Sequence, residues 1–336
     1  LVSLSGCSRE LNTRYGVNKG IFAGSSVNGF TTLRDSFGAA GYTTRDLGRL
    51  TDRVRGVSVV VWTPEHPTGI EPATTRWFES WLQMGGKTLI YVIPDSGSET
   101  QFYDDARPLA DPKQRLEYRR RYAEGLIREH RWQSNRSTIP STGWFAARPQ
   151  IVTVTNGTEV TTDITTEDDS VEDGPSTSRR FEWVLEAYDP EVPGHQGSLM
   201  WEPVGPGSTT WGENSASTTP TSAPIDFESL LAADTGDSVV AKVTSENWEQ
   251  SQILVVAGGS VLTNYGLTRP ANQRLAASLI NRALSTTNGP GLGDVSLQGQ
   301  GDPGDVQERI AAFATANGSF PISKKAGEIP RATGAE

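Results

Sequence analysis

Residues 56–95 restrict the possible fold of this chain more than any other stretch. Residues 57–62 form a nearly continuous run of apolar, mostly β-branched side chains, which is typical of a strand with helices on both faces of its sheet. Pro72 then opens a segment whose apolar residues recur at helical spacing until a Gly-Gly pair stops it. Residues 87–93 are a second apolar run of strand length. The order strand, helix, strand with short links predicts a right-handed, parallel βαβ unit.

In open α/β sheets, ligands bind beyond the carboxyl ends of the parallel strands. Here those ends lead into residues 63–69 and 94–98. His66 and Asp95 lie in these two segments, and both are candidate ligand-binding residues.

Ser25, Ser26, Asn28 and Gly29 lead into a predicted helix over residues 30–40. Asn28 is a residue type that is favoured at a helix N-cap. Exposed amides at a helix start can also hold an anion or a polar ligand. These four residues are therefore ligand-binding candidates, with simple capping of the helix as the alternative.

Further patterns continue the alternation of strands and helices. Strands are predicted at residues 42–46, 238–243 and 252–257, and helices from about 112 to 133 and from Pro270 onward. On the first of these helices one stripe contains Leu116, Ala123, Leu126, Ile127 and His130. Its arginines can bind an acidic partner, but interspersed glutamates favour a solvated face. Asn264, in the loop after the last strand, is another ligand-binding candidate.

The region between these parts has a different character. Short strands are predicted at residues 144–145, 150–155, 159–164 and 181–188. The acidic residues 167–174 lack the spacing of a calcium loop, so we expect a solvated, disordered loop there. Residues 205–224 are rich in Ser, Thr, Pro and Gly and predict a flexible stretch. After residue 288 we expect a Gly-rich tail with one short helix at about 305–316.

These patterns predict a division of the chain into five parts. They are a leader remnant and tether at 1–19, the first part of an α/β domain at 20–133, a β-rich insertion at 134–237, the completion of the α/β domain at 238–286, and a polar, largely irregular tail at 287–336.

Composition argues against several functions. A formal net charge of -10 with a pI near 5.0 is unsuited to nucleic acid, whose phosphates need clustered Lys and Arg. The single cysteine rules out a disulfide framework within the chain, and the three histidines lie far apart in sequence. No metal-binding spacing occurs, so no metal or cofactor is predicted.

The sequence Leu-Ser-Gly-Cys at residues 4–7 resembles a bacterial lipobox, in which the cysteine is lipidated and becomes the mature first residue. Cys7 is the only cysteine and follows a short apolar run. An incidental or buried cysteine is the alternative. A diacyl anchor holds a protein on a membrane without a spanning helix, so we expect a lipid-anchored protein of the bacterial envelope, outside the cytoplasm.

Three stretches together resemble a known family. They are residues 25–29 with the following helix, residues 77–91, and residues 253–264 with Asn272 beyond them. They are similar to the bacterial domain-of-unknown-function family numbered 4350. The resemblance implies a three-layer, mostly parallel flavodoxin-like or class I amidotransferase-like sheet in a membrane-associated protein. Relatives of this fold also serve as extracytoplasmic accessory parts of transport systems, which implies scaffolding or ligand sensing.

A class I amidotransferase needs a cysteine at a strand-to-helix elbow, activated by a histidine. The corresponding segment here, residues 94–97, contains Ser96 and no cysteine. We therefore predict a non-catalytic module that binds a ligand or an envelope protein partner. The alternative is a hydrolase of glycan or ester bonds. It would use Ser96, with one of the three histidines as base, or the carboxylate pair Glu65 and Asp95.

Overall fold

The computed structural model describes residues 11–17, 24, 26–136, 143–155, 178–189, 191–192, 225–287 and 309–323. Cys7, Ser25, His195, the strand predicted at 159–164, the acidic loop 167–174 and the stretch 205–224 lie outside these ranges.

The structure alternates helices and strands. The helices are α1 (Thr31–Ala39), α2 (Pro72–Leu82), α3 (Glu99–Ala106), α4 (Arg115–Ser134) and α5 (Pro270–Thr287). The strands are β1 (Thr43–Asp46), β2 (Val59–Trp62), β3 (Thr88–Val92), β4 (Phe145–Val154), β5 (Arg179–Ala187), β6 (Ile225–Ala232), β7 (Ser238–Ser245), β8 (Gln252–Val256) and β9 (Ile310–Ala314).

All nine strands of the described residues belong to one mixed sheet, in the order β1-β9-β2-β3-β8-β7-β5-β4, and β6 also pairs with β7. Strands β1, β9, β2, β3 and β8 are parallel to one another. The remaining pairs, including β7 with β8, are antiparallel. The predicted α/β class with a mostly parallel sheet is confirmed, as is the parallel unit formed by β2, α2 and β3.

Strand β9 corrects the sequence prediction of a short helix at 305–316. It lies between β1 and β2 and pairs with both of them in parallel. Ala311, Ala312 and Ala314 favour a helix locally. However, the place between two parallel strands offers backbone hydrogen bonds on both sides, and Phe313 is almost fully buried there against Phe37. Tertiary pairing overrides the local propensity.

The predicted β-rich segment joins this same sheet. Strands β4 and β5 pair along most of their length, and Leu185 of β5 pairs with Ser238 of β7. The two strands predicted at 144–145 and 150–155 are one strand, β4, whose register shifts between Pro149 and Val152. A proline cannot donate a ladder hydrogen bond, which explains the irregularity. Sequence reasoning missed α3, a mostly polar segment in which Tyr103 is the buried residue, and β6, in which only Leu231 is buried.

Helix α4 packs by a face that the sequence did not indicate. Leu116 and Ile127, which belong to the predicted apolar stripe, are 78% and 60% exposed. The buried residue of α4 is Gly125, where an added Cβ would lie 3.2 Å from Oγ1 of Thr100. Tyr118 packs edge-on against Tyr103 of α3. The close approach at a glycine therefore decides which face of α4 turns inward, and the apolar stripe faces solvent.

Among the described residues, no helix has both the length and the apolar character needed to cross a membrane.

Candidate functional site

A buried carboxylate joins the loops that follow β3 and β8. Asp95 is 4% exposed and comes directly after β3 and Pro94. The backbone N of Ser260 donates to its Oδ1 and Oδ2 at 3.1 and 2.9 Å, and the backbone N of Gly97 donates to Oδ1 at 3.0 Å. Asp95 therefore lies at the carboxyl ends of two adjacent parallel strands, where α/β sheets bind ligands.

A second buried carboxylate, Glu182 of β5, faces the same loop. The hydroxyl of Ser96 donates to its Oε1 at 2.5 Å, and the backbone N of Ser96 lies 3.2 Å from its Oε2. Nε2 of Gln133 donates to Oε1 at 3.2 Å. Nη1 of Arg136 is 3.4 Å from Oε2, in an ion pair with both side chains about 95% buried. Glu182 is thus surrounded by donors from two parts of the chain, the loop after β3 and the end of α4.

Burial and, as a smaller cause, the nearby charge of Glu182 raise the pKa of Asp95 to about 6. The hydrogen bonds from Ser260 and Gly97 act in the opposite direction because they favour the charged form. Burial likewise raises the pKa of the Tyr15 phenol well above its ordinary range, with the charge of Asp95 as a smaller cause. Tyr15 is therefore a neutral phenol beside a carboxyl group that titrates close to neutral pH.

Two glycines allow these groups to come close together. A Cβ at Gly259 would lie 1.6 Å from the hydroxyl oxygen of Tyr15, so no larger residue fits there. Gly97 has a φ of +80° and approaches Asn28, whose Oδ1 would lie 2.7 Å from an added Cβ. The loop after β3 needs glycine for its backbone conformation as well as for space.

A cavity of about 390 Å³ opens beside Ser96 and Glu182. Residues from α3, α4, β5 and the β8–α5 region line it, among them Gln101, Asp105, Glu129, Arg180, Arg269 and Asn272. Four of its charged residues form two ion pairs, because Arg180 contacts Glu129 and Nη2 of Arg269 lies 3.0 Å from Asp105.

Asn272 contributes a different feature to the cavity wall. Its Nδ2 donates to the carbonyl oxygen of Gly266 at 2.8 Å, and the residue is 3% exposed. Its Oδ1 is a buried acceptor without a hydrogen-bond partner among the described residues. A buried acceptor without a donor is destabilising. Asn272 therefore gives the cavity wall an acceptor that a donor group of a ligand can satisfy.

The predicted residues before α1 come together with Asn264. Nδ2 of Asn264 donates to the carbonyl oxygen of Ser26 at 2.9 Å, and the backbone N of Asn264 donates to the carbonyl oxygen of Gly29 at 2.7 Å. Asn28 connects this group to the site, since its Oδ1 accepts from the backbone N of Ser98 at 2.6 Å. The side chain of Ser26 donates to the carbonyl oxygen of Arg14.

The prediction that Asn28 caps α1 is wrong. The helix begins at Thr31, and Phe30 at the N-cap position provides no side-chain hydrogen bond. Instead, Oδ1 of Asn264 accepts from the backbone N of Thr32 at 2.8 Å. A residue more than two hundred positions away therefore performs the capping.

His66 and Glu65 do not line the cavity. Their backbone amides donate to Oδ1 of Asn317, and the carboxylate of Glu65 is 3.0 Å from Arg14. Glu65 and Asp95 thus have separate partners. The carboxylate that does meet Ser96 is Glu182, which sequence reasoning missed. The available signal was a charged residue inside the apolar strand segment 181–185, where an unpaired charge is rarely tolerated.

No group of three or more His, Cys, Asp and Glu that could hold a metal ion occurs in the part of the chain that the structure describes. Comparison of the chain with protein-family models, with curated proteins and with solved structures found no match.

Replacing Asn264 tests the cap formed across the chain. We expect N264A to lower the free energy of unfolding by about 1–2 kcal/mol, because Thr32 N and Ser26 O both lose a partner. Urea denaturation measures the change. The matched control is N247A at an exposed position, which should stay within about 0.5 kcal/mol of wild type. Equal effects of the two substitutions would contradict the capping role.

The raised pKa of Asp95 makes stability depend on pH. Because the folded-state pKa of about 6 exceeds the ordinary 3.8, the native state binds the proton more tightly than the unfolded chain. This contribution is complete below pH 3.8 and is lost as the pH rises through 6. Relative to D95N, we expect the wild-type free energy of unfolding to fall over this window by about 3 kcal/mol.

Denaturation at several pH values measures this difference, with E65Q as the control because Glu65 is partly exposed. Its pH dependence should parallel that of wild type. A D95N profile that also parallels wild type would show that Asp95 titrates normally.

Proposed function

We propose that this protein is a non-catalytic module that binds a small polar ligand in the cavity beside Ser96. In this proposal its sheet and helices form the three-layer, class I amidotransferase-like architecture of the family numbered 4350. Cys7 carries a lipid that anchors the protein to the bacterial envelope, outside the cytoplasm, where it serves a transport system or another envelope partner. The mass of the mature amino terminus, isolated from the native host, tests the anchor.

The observation that carries the non-catalytic part is the environment of Glu182. In an amidotransferase-like enzyme, the turn after β3 would hold an activated nucleophile. Here it holds Ser96, whose hydroxyl is bonded to a carboxylate that also faces Arg136 and Gln133. These donors occupy both oxygens of the Glu182 carboxylate, which holds the group in a structural role. Neither described histidine, His66 or His130, lines the cavity.

The lining favours a neutral or zwitterionic ligand. The arginine and carboxylate side chains of Arg180–Glu129 and Arg269–Asp105 pair with each other, which leaves little net charge for an ion. The cavity volume is within the range of small-molecule sites. Polar side chains of both kinds, donors and acceptors, suit a compound that has several hydroxyl groups or both an amine and a carboxylate.

Thermal unfolding with defined probes tests this proposal. We expect glucose or glycine, at saturating concentration, to raise the midpoint by about 2–4 °C, because a ligand that binds only the native state stabilises it. Citrate and putrescine, which carry net charge, should give no rise. R269A should lose the effect, and R274A, at an exposed position of α5, should keep it. No rise with either uncharged probe, or an undiminished rise in R269A, would contradict the proposal.

One observation favours the hydrolase as a second candidate, namely the 2.5 Å contact between Ser96 and Glu182. An activated serine attacks a fluorophosphonate at phosphorus and displaces fluoride. We expect no such adduct in the intact mass of the wild-type protein, with a known serine hydrolase as the positive control. An adduct that disappears in both S96A and E182Q would instead establish Ser96 as a nucleophile with Glu182 as its base.

A further inference from the structure

Helix α4 presents an exposed apolar stripe to solvent. Leu116 and Ile127 are 78% and 60% exposed, and Ala123 lies exposed between them. The spacings of seven and four residues place the three side chains on one helical face. The opposite face of α4 is occupied, because Gly125 and Tyr118 pack against α3. The stripe is therefore the outer surface of a helix that is already held in place.

Cationic side chains flank this stripe. By their positions in the helical repeat, Arg119 lies on one side, and Arg131 and Arg120 lie on the other. Arg120 forms ion pairs with Glu117 at 2.6 Å and with Glu124 at 3.5 Å. The helix contains six arginines and three glutamates, so it carries three positive charges in excess, although the chain as a whole has a net charge of -10. Within the described ranges neither Arg119 nor Arg131 forms an ion pair.

We propose that α4 binds the surface of an anionic membrane, with its axis in the plane of the bilayer. An apolar stripe flanked by unpaired arginines, here Arg119 and Arg131, is the arrangement of an interfacial helix. Leu116 and Ile127 would enter the boundary between headgroups and acyl chains, and the flanking guanidinium groups would contact lipid phosphates. This inference uses the outer face of α4 and is independent of the ligand proposed for the cavity.

Two other occupants fit the surface less well. A second copy of the chain that docked α4 on α4 would bring the rows of arginines close to one another, and like charges repel. An acidic protein would match the charge, but a narrow stripe on a convex helix offers it only a small apolar area. A lipid surface matches both the charge and the shape.

Vesicle co-sedimentation of the full, unacylated chain tests the proposal. We expect binding to phosphatidylcholine vesicles that contain phosphatidylglycerol, no binding to phosphatidylcholine alone, and weaker binding as salt is raised. L116S/I127S and R119Q/R131Q should each reduce the partition coefficient roughly tenfold. The matched controls are I151S, an exposed isoleucine of β4, and R76Q/R274Q, exposed arginines of α2 and α5. Both should bind as wild type does.

Two results would overturn the proposal. One is failure of the wild-type chain to bind the anionic vesicles, and the other is an equal loss of binding in the control variants. Dimerisation in light scattering that L116S/I127S abolishes, without vesicle binding, would assign the face to a second copy. Binding of polyglutamate without vesicle binding would assign it to an acidic protein. The substituted side chains are exposed, so unchanged thermal midpoints should verify that every variant is folded.

Discussion

The centre of this structure depends on a carboxylate that has been removed from water. Asp95 stands after β3, and the amides of Gly97 and Ser260 replace the hydration that its burial takes away. A buried charge is tolerated only when such donors surround it. These hydrogen bonds connect the ends of two neighbouring parallel strands and so determine the shape of the loop that carries Ser96.

Glu182 repeats this arrangement from the antiparallel side of the sheet. The contacts with Arg136, Gln133 and Ser96 that make its burial possible also occupy both of its carboxylate oxygens. The structure uses the lone pairs of Glu182 to hold its own loop.

Helix α4 links the proposed ligand site to the proposed membrane surface. Tyr122 and Glu129 turn toward the cavity, whereas Leu116 and Ile127 turn away from it. The position of Gly125 against Thr100 sets this orientation. The two faces of this helix therefore differ in character. One is lined with paired charges, and the other combines apolar side chains with excess positive charge.

Local sequence patterns determined much of the parallel half of the sheet. Apolar runs, Pro72 and the Gly-Gly stop are sufficient to predict β2, α2 and β3, and similar patterns predict β8 and α5. Asp95 was identified as a site candidate because ligand sites lie beyond strand ends. The predicted base for Ser96 is a histidine, whereas in the structure its hydroxyl donates to Glu182.

Only the tertiary structure decided the features that depend on distant residues. It made residues 310–314 a strand, turned the apolar stripe of α4 outward, and used Asn264 to cap α1. The physical reason is the same in each case. Secondary-structure patterns report interactions between neighbours along the chain, whereas strand pairing, close approach at a glycine and hydrogen bonds to buried charges connect residues that are far apart in sequence.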